Sequence, residues 1–308
     1  MRIQRPRFRF LLFGLGWALA IALPLQAKRV HYIRPVVASF PAQGLGTIVI
    51  ENLDGPITLS TETTSTVKVE ALIHAGGADE TFARTLSDQL RLTPHVVGNQ
   101  LRIVAHYPVM QFHDYGYPHI RSLFHISMFH FFHGTDTNRY EHQTVHVRTV
   151  GSGQSVELWT EIRVTAPPTV TVYVRNVYGN VESRGHGPAG NGELDAFTSA
   201  GDIVVNNPRW SKLNLQSDYG AVKFPRGLGV AENIKLKTHF GGAFLFLAPG
   251  ASGQIIARKN LGFLHNSFTK GHFTRHGNHW VMLLGDGHGP IVHVDMQVGS
   301  LHLQRQQN

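Results

Sequence analysis

The sequence has 308 residues, of which 42% are hydrophobic and 16% charged, with 32 glycines, 20 histidines and no cysteine. Without cysteine the chain cannot form a disulfide scaffold, a thiolate zinc site, a cysteine nucleophile or a lipid anchor attached through a thiol. The low charged fraction and the high glycine content argue against a helical bundle, a coiled coil and a charge-rich disordered chain. The length suits one long domain or two modest ones.

The N-terminal segment has the three parts of a secretory signal peptide. Four arginines and no acidic residue precede an apolar run over residues 11–25, and Ala27 then supplies a small residue at the cut position. We expect cleavage after Ala27 and export to the periplasm or the cell surface, with no transmembrane span left after cleavage. The alternative is an uncleaved anchor, but the apolar run is shorter than the roughly 20 residues that a membrane span prefers.

Removal of this leader changes the argument from charge. The four leader arginines account for half of the formal charge of +8, so the remaining chain carries +4. No run of lysine or arginine is left after cleavage, and nucleic acid is therefore not an expected partner. Acidic polymers and an anionic membrane surface remain as weak candidate partners.

A repeat organised around glycine runs through most of the chain. Its seven anchors are Gly55, Gly179, Gly201, Gly220, Gly241, Gly262 and Gly299. The residues seven and five positions before each anchor, and two positions after it, are all apolar. Apolar residues two apart point to one face of a strand, and glycine suits a turn because it adopts positive φ without a Cβ clash. Each unit therefore predicts a strand, a glycine turn and a second strand.

The spacing of the anchors predicts the fold. From Gly179 onward the steps are 22, 19, 21 and 21 residues, followed by one of 37 residues that is close to two further steps. A strand–turn–strand unit about every 20 residues predicts an all-β, single-domain β-solenoid or β-helix-like roll. The alternative is a β-sandwich with hairpins at a similar spacing.

The predicted segments differ in composition. In chain order they are a signal peptide (1–27), an N-terminal β layer (28–105), a loop-like insertion rich in histidine and aromatic residues (106–156), the β-solenoid repeats (157–303) and a polar tail (304–308). The N-terminal layer is expected to hold one short helix near residues 79–90, because Phe82, Leu86 and Leu90 follow a helical spacing.

The insertion contains the candidate metal ligands. They are His113, His119, His125, His130 and His133. Histidine-rich tracts bind Zn, Cu or Ni, so these side chains form the one candidate cofactor site in the sequence. A good metal site also needs fixed geometry and supporting hydrogen bonds, and no His-Glu-x-x-His motif is present. The alternative is a metal-free segment whose aromatic residues 124–132 cover the roll, meet a partner or touch a membrane.

Catalysis has weaker support in the sequence. A hydrolase built on a solenoid would need carboxylates at the same position of neighbouring units. Asp54, Asp202 and Asp218 lie at three different positions relative to their anchors, which favours a role in turns. The sequence also lacks a Gly-x-Ser-x-Gly nucleophile elbow and a phosphate-binding Walker loop. We therefore expect a protein that is not an enzyme.

Several segments resemble the bacterial putative-adhesin domain, an adhesin-like family of unknown function that is akin to the head domains of some autotransporter adhesins. They are the units at 48–59 (IVIENLDGPITL) and 213–224 (LNLQSDYGAVKF), the strand at 161–166 with the two prolines after it, and the closing stretch 285–303. The resemblance covers residues 45–105 and 157–303, and the insertion is the main departure. It implies an exported β-helical roll with no known catalytic residues.

These observations lead to one expected function and two alternatives. We expect an exported, non-catalytic envelope protein that serves as an adhesin-like structural or interaction module, with an unknown protein or a surface glycan of the envelope as partner. The first alternative is a metal- or pH-responsive binding protein that uses the histidine-rich insertion. The second is a carbohydrate-active enzyme, which two carboxylates converging in a groove would support.

Overall fold

A computed structural model describes residues 30–108, 115–116, 136–140, 143–147, 156–229, 231–248, 250–267 and 272–305. Over these residues the chain is all-β apart from one helix, which confirms the all-β part of the predicted fold class. The N-terminal elements are β1 (Val30–Pro41), β2 (Thr47–Asp54), β3 (Ile57–Thr61), β4 (Thr66–Gly77), α1 (Glu80–Gln89), β5 (Arg91–Leu92), β6 (His95–Val97) and β7 (Gln100–His106).

The segment predicted as an insertion loop contributes three short strands. They are β8 (Tyr115–Gly116), β9 (Asp136–Tyr140) and β10 (Gln143–Val147). Strands β9 and β10 pair with each other in an antiparallel hairpin, and β8 pairs in parallel with the next long strand of the chain, β11 (Val156–Ala166).

The remaining strands follow one another in closely spaced pairs. They are β12 (Thr171–Tyr178), β13 (Val181–Gly185), β14 (Glu193–Ala200), β15 (Ile203–Asn206), β16 (Lys212–Tyr219), β17 (Val222–Phe224), β18 (Asn233–Phe240), β19 (Ala243–Leu247), β20 (Gly253–Leu261), β21 (Leu264–Asn266), β22 (His272–His276), β23 (His279–Leu284), β24 (Ile291–Val298) and β25 (Leu301–Arg305).

Two large sheets contain almost all of these strands. The twelve-stranded sheet has the order β22-β23-β20-β24-β18-β16-β14-β12-β2-β7-β5, with β6 paired to β7. The eleven-stranded sheet has the order β1-β4-β11-β3-β13-β15-β17-β19-β25-β21, with β8 paired to β11. Each glycine unit places its first strand in the twelve-stranded sheet and its second strand in the eleven-stranded sheet, so the chain crosses between the sheets at the glycine.

Neighbouring units pair in parallel and in register. Val172 of β12 lies opposite Ile48 of β2 on one side and Leu194 of β14 on the other. The same alignment continues to Leu213 and Ile234. These side chains are buried, and they belong to one hydrophobic cluster that includes inward-facing residues of both sheets. Antiparallel hairpins, which the sandwich alternative required, do not connect these units.

The order of the last units differs from the predicted order. Strand β24 lies between β18 and β20, and β25 lies between β19 and β21, so the final unit of the chain is inserted before the preceding one. The cause is the hairpin of β22 and β23, which pairs antiparallel with the outer edge of β20 and turns the chain back. The 37-residue step is therefore a hairpin and a return strand and not two further units in line.

Antiparallel strands flank the parallel units at both ends, so the sheets are mixed. Strands β1, β4 and β11 form an antiparallel group at one end of the eleven-stranded sheet. Strand β7 pairs in parallel with β2 but antiparallel with β5 and β6. The parallel strands in the interior of the stack come from the glycine units. The antiparallel strands that flank them come from segments outside the repeat.

The predicted helix packs against β1 and β4. Asp79 caps its N-terminus and accepts a hydrogen bond from the Phe82 backbone N–H at 2.8 Å. At the other end Arg34 of β1 donates to the carbonyl oxygens of Ser87 at 2.8 Å and Leu90 at 2.7 Å, which satisfies acceptors that a helix C-terminus leaves open. Leu90 is buried, whereas Phe82 is 42% exposed although its spacing had placed it on the same face.

Candidate functional site

The seven anchor glycines lie at one corner of the stack, where the chain passes from one sheet to the other. The backbone N–H of Gly179 donates to Ala200 at 2.9 Å, that of Gly201 to Tyr219 at 3.2 Å and that of Gly220 to Phe240 at 3.1 Å. The acceptor is in each case the residue before the next anchor. The same pattern links Gly241 to Val298 and Gly299 to Leu261. A continuous hydrogen-bond ladder therefore connects the corner from unit to unit.

Glycine is required at this corner mainly because the neighbouring backbone lies very close. A Cβ on Gly201 would overlap the carbonyl oxygen of Gly179, and the same holds for Gly220 against Gly201 and for Gly241 against Gly220. Only four anchors have positive φ, namely Gly55, Gly179, Gly262 and Gly299. The prediction that Gly201, Gly220 and Gly241 serve turns with positive φ is therefore wrong, and close packing of successive units is the physical reason for these residues.

A buried polar row runs beside the glycine corner, three residues before each of the first five anchors. It comprises Asn52, Asn176, Thr198, Ser217 and Thr238. Asn176 Nδ2 donates to the carbonyl oxygens of Gly55 at 2.9 Å and of Gly179 at 3.0 Å. Ser217 Oγ donates to Gly201 at 2.8 Å. These bonds satisfy corner carbonyl groups that are buried away from water.

The sequence contained a signal for this polar row. Positions seven, five and three before an anchor alternate onto the same face of the strand, so the third position faces the core like the other two. Its side chains are nevertheless small and polar, which indicates a buried hydrogen-bonding role. In the outermost unit Lys259 occupies the position, donates to the Gly262 carbonyl oxygen and lies 4.2 Å from the centre of the Trp280 ring.

The polar row ends in a buried cluster at the first unit. Thr160 Oγ1 donates to Asn52 Oδ1 at 2.6 Å, and the Tyr107 hydroxyl donates to the Asp54 carbonyl oxygen at 2.7 Å. Asn52, Asp54 and Thr160 are fully buried, and Tyr107 is nearly so. These groups join β2 to β11 and to the residue that follows β7. The cluster therefore ties the first unit to the strands that flank it.

The predicted metal ligands lie outside the described residues. This applies to His113, His119, His125, His130 and His133. Among the residues that the structure does describe, no group of three or more His, Asp or Glu side chains is arranged to hold a metal ion.

Two of the three aspartates considered for catalysis pair with neighbouring basic side chains, and the third is buried. Asp202 Oδ2 lies 2.5 Å from Lys223 Nζ, and its Oδ1 accepts from the Ala221 backbone N–H at 2.8 Å. Asp218 Oδ1 lies 2.8 Å from His239 Nδ1. Asp54 is buried beside the polar cluster. The carboxylates of Asp202 and Asp218 thus hold neighbouring strands and turns together.

A shallow depression at the first unit collects several ionisable side chains. It is lined by Glu51, His95, Arg102 and His106, together with Val104. Glu51 is almost fully buried, and its carboxylate lies 4.0 Å from the guanidinium group of Arg102. The depression adjoins the start of the insertion, and residues 109–114 beyond it are not described.

Three rings stack on the outer face of the eleven-stranded sheet. The Phe244 and His302 ring centres are 4.4 Å apart, and those of His302 and His265 are 4.6 Å apart. Burial lowers the pKa of His302, and the charge of the neighbouring His265 lowers it further. The stack therefore holds His302 in its neutral form to lower pH than an ordinary histidine.

We predict that His265→Asn raises the pKa of His302, because the substitution removes the neighbouring imidazolium. The pKa of His302 is lower in the folded chain than in the unfolded chain. Neutral His302 therefore stabilises the fold at pH values above its unfolded pKa of about 6.5, and this stabilisation is lost as the pH falls through its folded pKa. NMR titration of the imidazole resonances measures the shift. The control is His293→Asn, on the opposite sheet, and an unchanged His302 titration in the His265 variant would contradict the prediction.

Cationic side chains cluster on the outer face of the twelve-stranded sheet. This cationic face consists of Lys212 on β16, Lys235 and Lys237 on β18, His293 on β24 and Arg258 on β20, all of them exposed. Lys235 lies opposite His293 in the parallel register. The alternation that buries Ile234 and Leu236 turns the two lysines of β18 outward.

An exposed apolar row lies along the glycine corner of the outer units. Phe240 is 45% exposed, Leu261 66% and Phe263 71%. The Phe240 ring also stacks on Tyr219, with ring centres 5.2 Å apart. Exposed apolar patches of this kind are common at binding surfaces. No helix in the described part of the chain is long and apolar enough to cross a membrane.

Comparison with known proteins gives structural likenesses alone. No family model and no curated protein matches the sequence. The chain is similar to a cell adhesion protein from Clostridium sporogenes, described as putative, with 11% identity, a TM-score of 0.43, and coverage of 89% of this chain and 100% of that one. It is also similar to a putative adhesin from Bacteroides fragilis, with 9% identity and a TM-score of 0.32. That match covers 88% of this chain and 97% of the other one. Both structures are of bacterial proteins, one described as a putative cell adhesion protein and the other as a putative adhesin.

Proposed function

We propose that this chain is an exported, non-catalytic protein of the cell envelope that acts as an adhesin-like interaction module, and that its stacked units form a β-helix-like roll. The observation that carries the proposal is the outer face of the twelve-stranded sheet. There, the four neighbouring parallel strands β16, β18, β24 and β20 hold exposed charged and amide side chains in register, at a strand spacing of about 4.8 Å.

Such a face suits binding because its backbone is already ordered. The glycine corner and the buried polar row fix each unit against the next, so the side chains that meet a partner project from backbone positions that vary little. A preorganised surface loses less conformational entropy on association than a flexible loop does. A repeated arrangement of this kind also matches a partner that is itself extended.

Export is the second part of the proposal, and it predicts a mature N-terminus at Lys28. The leader composition supports signal cleavage after Ala27. Intact-mass measurement of the protein recovered from the envelope fraction is expected to give the mass of residues 28–308. A product that retains residues 1–27 in the membrane fraction would contradict cleavage and would favour the anchored alternative.

The binding role is tested by covering one face at a time. Because the chain has no cysteine, a single introduced cysteine can carry a neutral polyethylene glycol chain. Asn214→Cys places the label on the outer face of the twelve-stranded sheet, and Glu70→Cys places a matched label on the outer face of the eleven-stranded sheet. We expect saturable binding to intact bacterial envelopes, lost in the first conjugate and kept in the second. Absence of saturable binding, or equal loss in both conjugates, would contradict the proposed function.

A further inference from the structure

The lysines of the cationic face lack paired carboxylates. In the described part of the chain Lys212, Lys235 and Lys237 form no ion pair, whereas Arg258 is paired with Asp295. Two carboxylates lie on the strands beside the lysines: Glu193 of β14 is opposite Lys212, and Asp295 of β24 is opposite Lys237. The ordered strands hold the three ammonium groups on one surface, and an anion bound among them would be attracted to all three.

The positions of these groups form a diagonal path across four neighbouring strands. Lys212 of β16 lies opposite Asn233, two residues before Lys235 on β18. Lys235 lies opposite His293 of β24, and Arg258 of β20 lies opposite Asp295, two residues beyond His293. With about 4.8 Å between strands and about 6.6 Å for two residues along a strand, the path passes through Lys212, Lys235, His293 and Arg258, one on each strand. Lys237 adds a second lysine on β18.

Amide side chains accompany the cationic path. Asn214 and Gln216 lie on β16, Asn233 begins β18, and Gln254 lies on β20, all at outward positions of the same sheet face. Amides both donate and accept hydrogen bonds, so they can bind hydroxyl groups. A partner that suits this face therefore combines regularly spaced negative charges with many hydroxyls.

We propose that the cationic face binds an extended acidic polysaccharide, with the lysines contacting its carboxylate groups and the amides contacting its hydroxyls. This inference rests on the proposed function, because it names the class of partner for the same sheet face. The chemistry favours a polysaccharide over a lipid surface, since the exposed apolar side chains of β18, β20 and β24, such as Phe240, Leu261 and Ile291, lie at the strand ends and not among the lysines.

The test uses polygalacturonate as the probe and the purified exported protein. We expect binding that weakens as salt increases, because association releases counterions from the polyanion. The triple variant Lys212→Gln, Lys235→Gln, Lys237→Gln should bind at least tenfold more weakly. The slope of log affinity against log salt should decrease by about two for the loss of three charges, at roughly 0.7 per contact.

A charge-matched control separates this face from net charge. Lys68→Gln, Arg226→Gln, Arg305→Gln removes three exposed cations on the side of the eleven-stranded sheet, and we expect its affinity to match that of the unmodified protein. Circular dichroism shows whether both triple variants keep the β fold. Equal weakening in the two variants would overturn the proposal, since it would reflect net charge alone.

The remaining outcomes concern the identity of the partner. Equal binding to neutral dextran, or binding to single-stranded DNA or anionic phospholipid vesicles without binding to polygalacturonate, would overturn the polysaccharide assignment. Envelope binding that is lost in the Asn214→Cys conjugate but is unaffected in the lysine variant would also overturn it. That last result would leave the proposed function intact, so the failures of the two proposals are distinguishable.

Discussion

Gly241→Ala is expected to lower the free energy of unfolding by about 3 kcal/mol, the upper end of the usual cost of overpacking a close contact. The added methyl group would overlap the backbone carbonyl of Gly220, and that carbonyl cannot move away because the strands on both sides hold it in register. Backbone strain from positive φ contributes nothing here, since Gly241 does not have positive φ. The loss therefore measures the tightness of packing between successive units.

The matched control is Gly250→Ala. Gly250 is exposed, does not have positive φ, and has no heavy atom within 4 Å of the position that a Cβ would occupy. We expect this variant to stay within about 0.5 kcal/mol of the unmodified chain. Urea denaturation followed by circular dichroism compares the two variants. Equal stability of the two would refute the close approach at the corner.

The sequence predicted the repeating part of the fold because its physical causes are local. Alternating apolar residues such as Ile48 and Ile50 specify which face of a strand is buried, and each anchor glycine marks the crossing between sheets. These constraints recur in each unit, so one pattern describes them all. The helical spacing of Phe82, Leu86 and Leu90 likewise located the only helix of the described residues, although Phe82 itself is partly exposed.

The order of the last units was not predictable from the same pattern. The stretch between Gly262 and Gly299 has the length of two units, and the repeat alone cannot distinguish two units in line from a hairpin followed by a return strand. The choice depends on pairing between β18 and β24, residues that are more than fifty positions apart in the chain. Such long-range pairing leaves no local signature, because all the units bury similar side chains.

The candidate binding face shows a similar division between local and long-range information. The alternation of β18 predicts that Lys235 and Lys237 share one outward face. It does not predict that Arg258 joins them two strands away, because the intervening strand is β24 from the end of the chain. A cationic surface built from distant segments therefore becomes visible in the structure and not as a run of basic residues in the sequence.

Asn176→Asp is expected to destabilise the folded chain by about 4 kcal/mol at neutral pH, as for other buried charges that lose their partner. Asn176 is fully buried, and its amide donates to two carbonyl oxygens at the glycine corner. A carboxylate there would donate no hydrogen bond and would face the two oxygens that the amide now satisfies. Because burial disfavours the charged form, the pKa of the new carboxyl would be higher in the folded chain than its unfolded value of about 3.9.

The sign of the pH dependence follows from that difference. With its pKa raised in the folded state, the new carboxyl retains a proton that it releases in the unfolded chain. Its contribution to stability is therefore most favourable below about pH 4 and is lost as the pH rises through its folded pKa. The difference in unfolding free energy between the variant and the unmodified chain should therefore shrink on acidification. Asn233→Asp, at an exposed position of the same sheet, should cost less than about 0.5 kcal/mol and show no such trend. If the Asn176 variant lost the same stability at pH 4 and pH 7, the polar row would not be the hydrogen-bonding element that holds the corner together.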